Sequence, residues 1–466
     1  MPPTKSAKTL TLLAVCSALA GCNFRFQSNS QTLPSGDSPV VLAMTDTPPT
    51  NVTILSAQVT LTGATLNPGN ISLLPSATTL ELTRLQTDVA YLGTPLVKAG
   101  SYTSLTLTFA NPTLTFENDS STTFPGAVCS GTICTLSPAV TNLSTILTLP
   151  TITVSKTAGA GLLVDVSLNA LFSASLGADF KNGTTVSTFT PAGAGAPLAG
   201  AEDVVGQVIL IDMTHNTFSL QNAVGVFSLA VNSLTVFPNL PAGTCPTSSL
   251  SCVKIGQILS VDIGIGSDGT AFARTVLLED ADAGDAEVEG IVTALNPGSS
   301  QFTIIPLSES AAIAGLTVGS SATVHYISAT PFDVDFVQAE GIQVPTTGYL
   351  FGGAAELMLG QQVQVRRNPS SSGTSITADR VRLRSSRITG SIQPPGAPFI
   401  PLVGLPSIFS LHSVAQIQVL TSFQTIFAGT AVNFSTLGVG KTLSVRGPLF
   451  PNAGTPTVVV SKVLQH

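Results

Sequence analysis

The chain contains no tryptophan, four tyrosines and four histidines in 466 residues. Only 9% of its residues are charged, against a typical ~25%. Each shortage excludes something. Sparse Trp and Tyr leave few platforms for stacking sugar rings and no aromatic girdles for a transmembrane barrel. The histidines, His215, His325, His412 and His466, are scattered without metal-type spacing, which favours structural or surface roles. Neither a G-x-S-x-G elbow, an H-E-x-x-H helix nor an S-x-x-K set with its partners occurs. Gly438-Val-Gly-Lys-Thr442 has the tail of a phosphate loop, but the glycine required before it is Ser435, and the apolar strand Leu443-Ser-Val445 follows. The formal charge of −7 argues against a nucleic-acid partner or a basic membrane-surface helix. Residues 388–440 carry no charge, yet Pro394, Pro395, Pro398, Pro401 and Pro406 break any spanning helix there.

What is present begins with an address. Lys5 and Lys8 precede an apolar run from Leu10 to Ala20 that is too short to span a bilayer and has the form of a signal-peptide core. The run closes on Leu19-Ala20-Gly21-Cys22, which resembles the lipobox of bacterial lipoproteins. That resemblance implies cleavage after residue 21 and a lipid on Cys22. Asn23 in place of Asp implies the outer membrane, by similarity to the sorting rule of enterobacterial lipoproteins. An ordinary secretory signal cut at Ala-Gly would export the chain equally. Residues 22–38 are polar and turn-rich, a flexible tether.

Cysteine usage fits an oxidising compartment. With Cys16 lost in the signal and Cys22 lipidated, four cysteines remain in two local pairs, Cys129 with Cys134 and Cys245 with Cys252. Two short-loop disulfides are expected. A zinc site would need all four thiols from loops more than 100 residues apart, without the spacing of zinc ribbons.

Residues 39–189 alternate apolar with polar at period two, as in Val52-Thr-Ile-Leu-Ser-Ala-Gln-Val-Thr-Leu-Thr62 and Tyr102-Thr-Ser-Leu-Thr-Leu-Thr-Phe109. Asn67-Pro68-Gly69-Asn70, Ala99-Gly100 and Asn111-Pro112 mark turns, so an antiparallel β-sandwich is expected, with 162–176 the one short helical stretch. Val41-Leu-Ala-Met-Thr-Asp-Thr-Pro48, Leu80-Glu-Leu-Thr-Arg-Leu-Gln86 and Leu96-Val-Lys-Ala-Gly-Ser-Tyr-Thr103 together resemble domain of unknown function 4382. The resemblance covers roughly residues 39–185 and implies a β-sandwich at the cell envelope with no established activity. Asp46 in the Thr-Asp-Thr-Pro segment reads as a turn residue bonding its own backbone.

Past a Gly/Ala/Pro linker at 190–202 the chain repeats itself three times. Gly206, Gly290 and Gly390 open the units, which continue with Phe218-Ser-Leu, Phe302-Thr-Ile and Phe409-Ser-Leu, and then a Thr-x-Phe at Thr235, Thr330 and Thr421. Each then runs through a glycine into a strand: Ile255-Gly-Gln-Ile-Leu-Ser-Val261, Leu359-Gly-Gln-Gln-Val-Gln-Val365 and Val439-Gly-Lys-Thr-Leu-Ser-Val445. The units close on Ala273/Val276, Ala378/Val381 and Val460/Val463. Small antiparallel barrels or sandwiches are expected at 203–280, 286–384 and 386–466, with Leu443 and Val445 inside and Lys441 exposed. The pattern resembles domain of unknown function 5666, whose function is also unestablished.

Between the first two units, Glu279-Asp-Ala-Asp-Ala-Gly-Asp-Ala-Glu-Val-Glu289 holds six of the 25 acids. Asp280, Asp282 and Asp285 are candidate Ca²⁺ ligands, and a solvated, self-repelling hinge at 281–285 explains the same residues without an ion. The sequence thus reads as an all-β, lipid-anchored envelope protein without cofactor or catalytic residues. It would serve as a spacer, adhesion or binding module whose partner is a protein or glycan. The rival is an exported polymer hydrolase whose carboxylates converge from different strands.

Overall fold

The computed structural model describes residues 37–466 except 48–52, 75, 88, 94, 119–121, 156–159, 190–200, 222–225, 234, 238–239, 241–248, 266–270, 281–286, 310–314, 335–344, 346–347 and 453. The fold is all-β, and the longest helical element among the described residues, Leu82–Gln86, is a 3-10 helix of five residues. Period-two patterning is the cause: in the strand Thr53–Asn67, Val59 and Leu61 enter the core while Thr60 and Thr62 face outward.

Residues 37–189 form a sandwich of two sheets. One is built on Asp37–Thr47, flanked by Ala160–Ser167 and by Ala90–Gly93 and Leu96–Lys98. The other is built on Thr53–Asn67 and Gly100–Glu117, with Ser144–Val154 and Ile133–Leu136 alongside. Leu42, Met44 and Val164 from the first sheet pack on Leu61, Leu107 and Phe109 from the second, and Phe109 stacks on Phe180 at 4.3 Å.

Three expectations change here. The strands Asp37–Thr47 and Ala160–Ser167 pair in parallel, so the sandwich is mixed. Asn111-Pro112 is no turn: Gly100–Glu117 runs through it, and Asn111, at φ 48°, sits in a bulge where the register to Thr53–Asn67 shifts. The helix over 162–176 shrinks to Leu168–Leu171, because β-branched valines take 160–167 into the sheet. Asp46 is buried in a strand, and its carboxylate accepts the backbone N–H of Leu168 at 3.2 Å. It therefore ties two distant segments, and the turn expected after it, 48–52, lies outside the described residues.

Residues 201–466 form three five-stranded barrels. Barrel 1 uses Ala201–Asp212, Thr217–Gln221, Val226–Ala230, Ile258–Ile265 and Ala271–Asp280. Barrel 2 uses Glu287–Asn296, Gln301–Glu309, Ala322–His325, Gln362–Arg367 and Ser375–Leu383. Barrel 3 uses Ser385–Ile392, Phe399–Val403, Ile417–Leu420, Thr442–Phe450 and Thr457–Val459. In each, the first strand pairs with the second and fourth, and the third pairs with the fifth in parallel. This is the strand order of a small Greek-key barrel of the OB type.

The repeated residues recur because the same hydrogen bonds recur. Gly256, Gly360 and Gly440 all have φ near +80 to +95°, and their N–H groups donate to Val208, Val292 and Ile392 at 2.8–2.9 Å. At Gly206, Gly290 and Gly390 a Cβ would stand 2.6–2.9 Å from a carbonyl oxygen of the second strand, so the position admits no side chain. Leu259, Val261, Leu443 and Val445 lie inside and Lys441 is exposed.

Two repeat assignments in barrel 3 are corrected. Thr235 and Thr330 each accept the N–H three residues earlier and donate to the carbonyls of Ala273 and Ala378. In barrel 3 this bond belongs to Thr425, which donates to Val460, and Thr421 bonds Pro398 instead. Likewise Phe218 and Phe302 correspond in register to Ile400, whereas Phe409 lies in the helical turn Ser407–Ser410.

Candidate functional site

The barrels share an inside and differ outside. Alternation that sends Val288, Val363 and Val365 into barrel 2 turns Glu289, Gln362 and Gln364 outward. In barrel 3, Ile388, Leu443 and Val445 enter the core, so Arg387, Thr389, Ser444 and Arg446 point out. These two outer faces meet each other and the helix Leu82–Gln86 of the sandwich. Glu289 stands at the junction, 3.3 Å from Arg84 Nη2 and 3.9 Å from Arg384 Nε. It also accepts bonds from Gln362 Nε2 and from Ser308 Oγ, and Arg387 Nη1 donates to Gln362 Oε1 at 3.4 Å. Thr53 bonded to Ser407, and Thr115 donating to the carbonyl of Gly319, extend the junction.

Beside this cluster opens a small cleft of about 70 Å³. Its walls come from the sandwich (Thr53, Thr83, Arg84), barrel 2 (Ile291, Leu307, Gly360, Gln362) and barrel 3 (Ser386, Arg387, Thr389, Ile408, Phe409). Burial pushes the Glu289 carboxyl up, but Arg84, Arg384, Arg387 and the bond from Gln362 outweigh it and hold the pKa at about 2. Glu289 is therefore a fixed anion at any ordinary pH, unsuited to exchanging protons in a reaction at neutral pH.

One arrangement has the outline of nucleophile chemistry. Ser444 Oγ lies 2.9 Å from His466 Nε2 and 2.8 Å from Thr389 Oγ1, and Thr389 borders the cleft. Burial lowers the pKa of His466, so the imidazole is neutral at pH 7. Ser444 is 1% exposed, however, so no substrate atom can reach its oxygen.

The residues singled out in the sequence go elsewhere. Cys129 and Cys134 form a disulfide in the edge hairpin Val128–Leu136. Cys252 is disulfide-bonded; Cys245, the partner expected for it, lies outside the described residues. So do Cys22, Asp282 and Asp285; Asp280 ends a strand, and its side chain is likewise outside them. Among the described residues no three His, Cys, Asp or Glu side chains come together as metal ligands. His215 pairs with Asp212 in an exposed turn, His325 bonds Gln301, and His412 lies 3.8 Å from Glu117. The acidic segment is not one solvated run: Glu287 and Glu289 belong to the first strand of barrel 2, and Glu289 is buried there.

The arginines at the junction were not foreseen, although a charge count by region would have drawn attention to them. Residues 357–466 hold nine of the 18 basic side chains and only one acid, Asp379, of 25. The overall charge of −7 conceals this asymmetry. No protein-family model matches the chain, and a search of curated proteins finds no match.

Proposed function

We propose that the chain is a lipid-anchored protein of the bacterial cell envelope acting as a non-catalytic spacer and binding module. The observation that carries this reading is the role of Glu289. The carboxylate at the centre of the junction is held ionised by three arginines, and it joins the sandwich to barrels 2 and 3. A polymer hydrolase of the paired-carboxylate kind needs one acid poised to give up a proton, which is the opposite of how Glu289 is held. Export is supported by Lys5, Lys8, the apolar run to Ala20 and Cys22, and by the Cys129–Cys134 disulfide, which suits an oxidising compartment. The resemblances to the two domains of unknown function belong to the same reading.

The test is fractionation of cells expressing the wild type and Cys22→Ala. The wild type should enter the membrane fraction through its acyl chains, since two or more exceed the marginal affinity of one. Cys22→Ala should be soluble or unprocessed. A Cys22→Ala protein that is processed and still membrane-bound contradicts the anchor.

A further inference from the structure

We propose that an exposed apolar corner of barrel 3, built on Phe399, Phe423 and Ile426, docks on a membrane leaflet that contains anionic lipid. This rests on the lipid-anchored reading and adds a second point of membrane contact to it.

The three barrels differ at one corner. Register places Phe399 of barrel 3 opposite Leu420, where barrel 1 has Thr217 opposite Ala230 and barrel 2 has Gln301 opposite His325. The carbonyl of Pro398 accepts both the N–H and the hydroxyl of Thr421, which brings the following loop, 422–425, to the same corner. Phe423 in that loop is 91% exposed. Two residues before the equivalent Thr235, Thr330 and Thr425 stand Ser233, Ser328 and Phe423. The fold therefore accepts serine there and does not call for the ring. Ile426, 48% exposed, opens the edge strand Ile426–Gly429 just past the loop. Among the described residues, barrels 1 and 2 expose one large apolar side chain each at the corresponding places, Val236 and Ile327. Single ones are ordinary on a protein surface, whereas a cluster marks a place that something covers.

Charge says what covers it. Residues 388–440 carry no charge, and barrel 3 as a whole, 385–466, has four basic residues and no acid. Arg387 serves the Glu289 cluster and Arg446 is fully buried, which leaves Lys441 exposed and Lys462 half-buried. Lys462 lies beside Ile426 in the strand register. An acid-free surface with an exposed ring near a lysine suits anionic headgroups, the ring entering the interface and the ammonium staying at the level of the phosphates. Two such corners face to face would instead set lysine near lysine with no acid of either barrel between them. Barrel 3 is also well placed for the contact. It packs directly on the sandwich through Leu55 and the bond of Thr53 with Ser407. A lipid on Cys22 would sit 15 residues before Asp37, where the sandwich begins, and a polar linker of that length spans about 20–25 Å on average. The lipid would thus hold the sandwich, and barrel 3 with it, close to one leaflet.

The experiment uses the purified full chain as Cys22→Ala, which carries no lipid, and vesicles of phosphatidylcholine alone or mixed in equal parts with phosphatidylglycerol. Co-sedimentation with excess mixed vesicles at low salt should show binding that weakens at high salt and on phosphatidylcholine alone. Phe423→Ser, which installs the residue of the other two barrels, should keep the melting temperature and lower the partition about tenfold or more, as loss of one buried aromatic side chain does. Because the chain has no tryptophan, Phe423→Trp places a single reporter at the corner, and its emission should shift to the blue on mixed vesicles. One such contact is weak, so Cys22→Ala still washes from membranes during cell fractionation, and the anchor and the corner are tested separately. No binding to mixed vesicles overturns the corner while fractionation still decides the anchor, and so does binding that Phe423→Ser leaves unchanged. Equal binding to phosphatidylcholine at every salt concentration overturns the anionic leaflet and with it the proposal. A blue shift of Phe423→Trp that grows with protein concentration in the absence of lipid makes a second copy the occupant, and overturns it too.

Discussion

Barrel 1 and barrels 2 and 3 are built on one plan and live in different surroundings. The core of barrel 1 is its own, with Val208, Phe218, Leu259, Val261 and Val276 packed among residues of the same barrel. The core of barrel 2 includes Phe450 and Val459 of barrel 3, and that of barrel 3 includes Ile305 of barrel 2 and Leu55 of the sandwich. Barrel 1 instead meets the sandwich through Tyr91 and Phe227, rings 5.9 Å apart. The inward residues that define the repeat are therefore interchangeable between barrels, while the outward residues decide what each barrel does. Barrels 2 and 3 use theirs for the Glu289 cluster and the cleft.

The comparison is broken most severely by removing Glu289. Glu289→Ala leaves buried guanidinium groups without their carboxylate, and breaking such a pair costs about 3–5 kcal/mol. Denaturant unfolding followed by circular dichroism should show a transition for the sandwich and barrels 2 and 3 moved to lower denaturant, with the barrel 1 transition in place.

Acid should act on the same group by a smaller amount. The folded pKa of Glu289, about 2, lies below that of an unfolded glutamate, near 4.3. The unfolded chain therefore binds the proton first, and the stabilisation is complete above roughly pH 5 and is lost as pH falls toward 2. The shift corresponds to roughly 3 kcal/mol. Stability measured between pH 6 and pH 2.5 should fall in the wild type more than in Glu289→Gln.

Next comes the turn glycine. Gly256→Ala and Gly440→Ala force a side chain into positive φ, at a cost of about 1 kcal/mol. Gly360→Ala should cost more, because its Cβ would also strike the Phe409 ring that barrel 3 lays against it. Equal losses at all three sites would show that this outer contact carries no energy. Smallest is the threonine bond. Thr235→Val, Thr330→Val and Thr425→Val should each cost about 1 kcal/mol, alike in all three barrels because the bond lies within each barrel rather than between them.

Much of this was legible in the sequence. Period-two alternation marks the strands, and the glycines at 256, 360 and 440 mark one turn three times over. The register of barrel 3 was harder, because Thr421-Ser-Phe423 and Thr425-Ile-Phe427 carry the same signature four residues apart. Geometry separates them: Phe423 is 91% exposed, while Phe427 lies in the strand paired with Val463. The cleft was not legible. Arg84 and Glu289 are 205 residues apart, and their meeting depends on the docking of outer faces, which hydrophobic periodicity does not describe. Glu289 in particular reads as one more acid in a charged run, and only its place in a strand reveals its burial.

The central claim is that the Glu289 cluster makes one cooperative body of the sandwich and barrels 2 and 3, from which barrel 1 stands apart. Amide hydrogen exchange, read segment by segment on wild type and Glu289→Gln, tests it directly. Protection should fall together in 82–86, 287–296, 362–367 and 385–392, while 258–264 and 271–278 exchange as in the wild type. If barrel 1 loses protection along with them, or if 82–86 keeps its own, the account is contradicted.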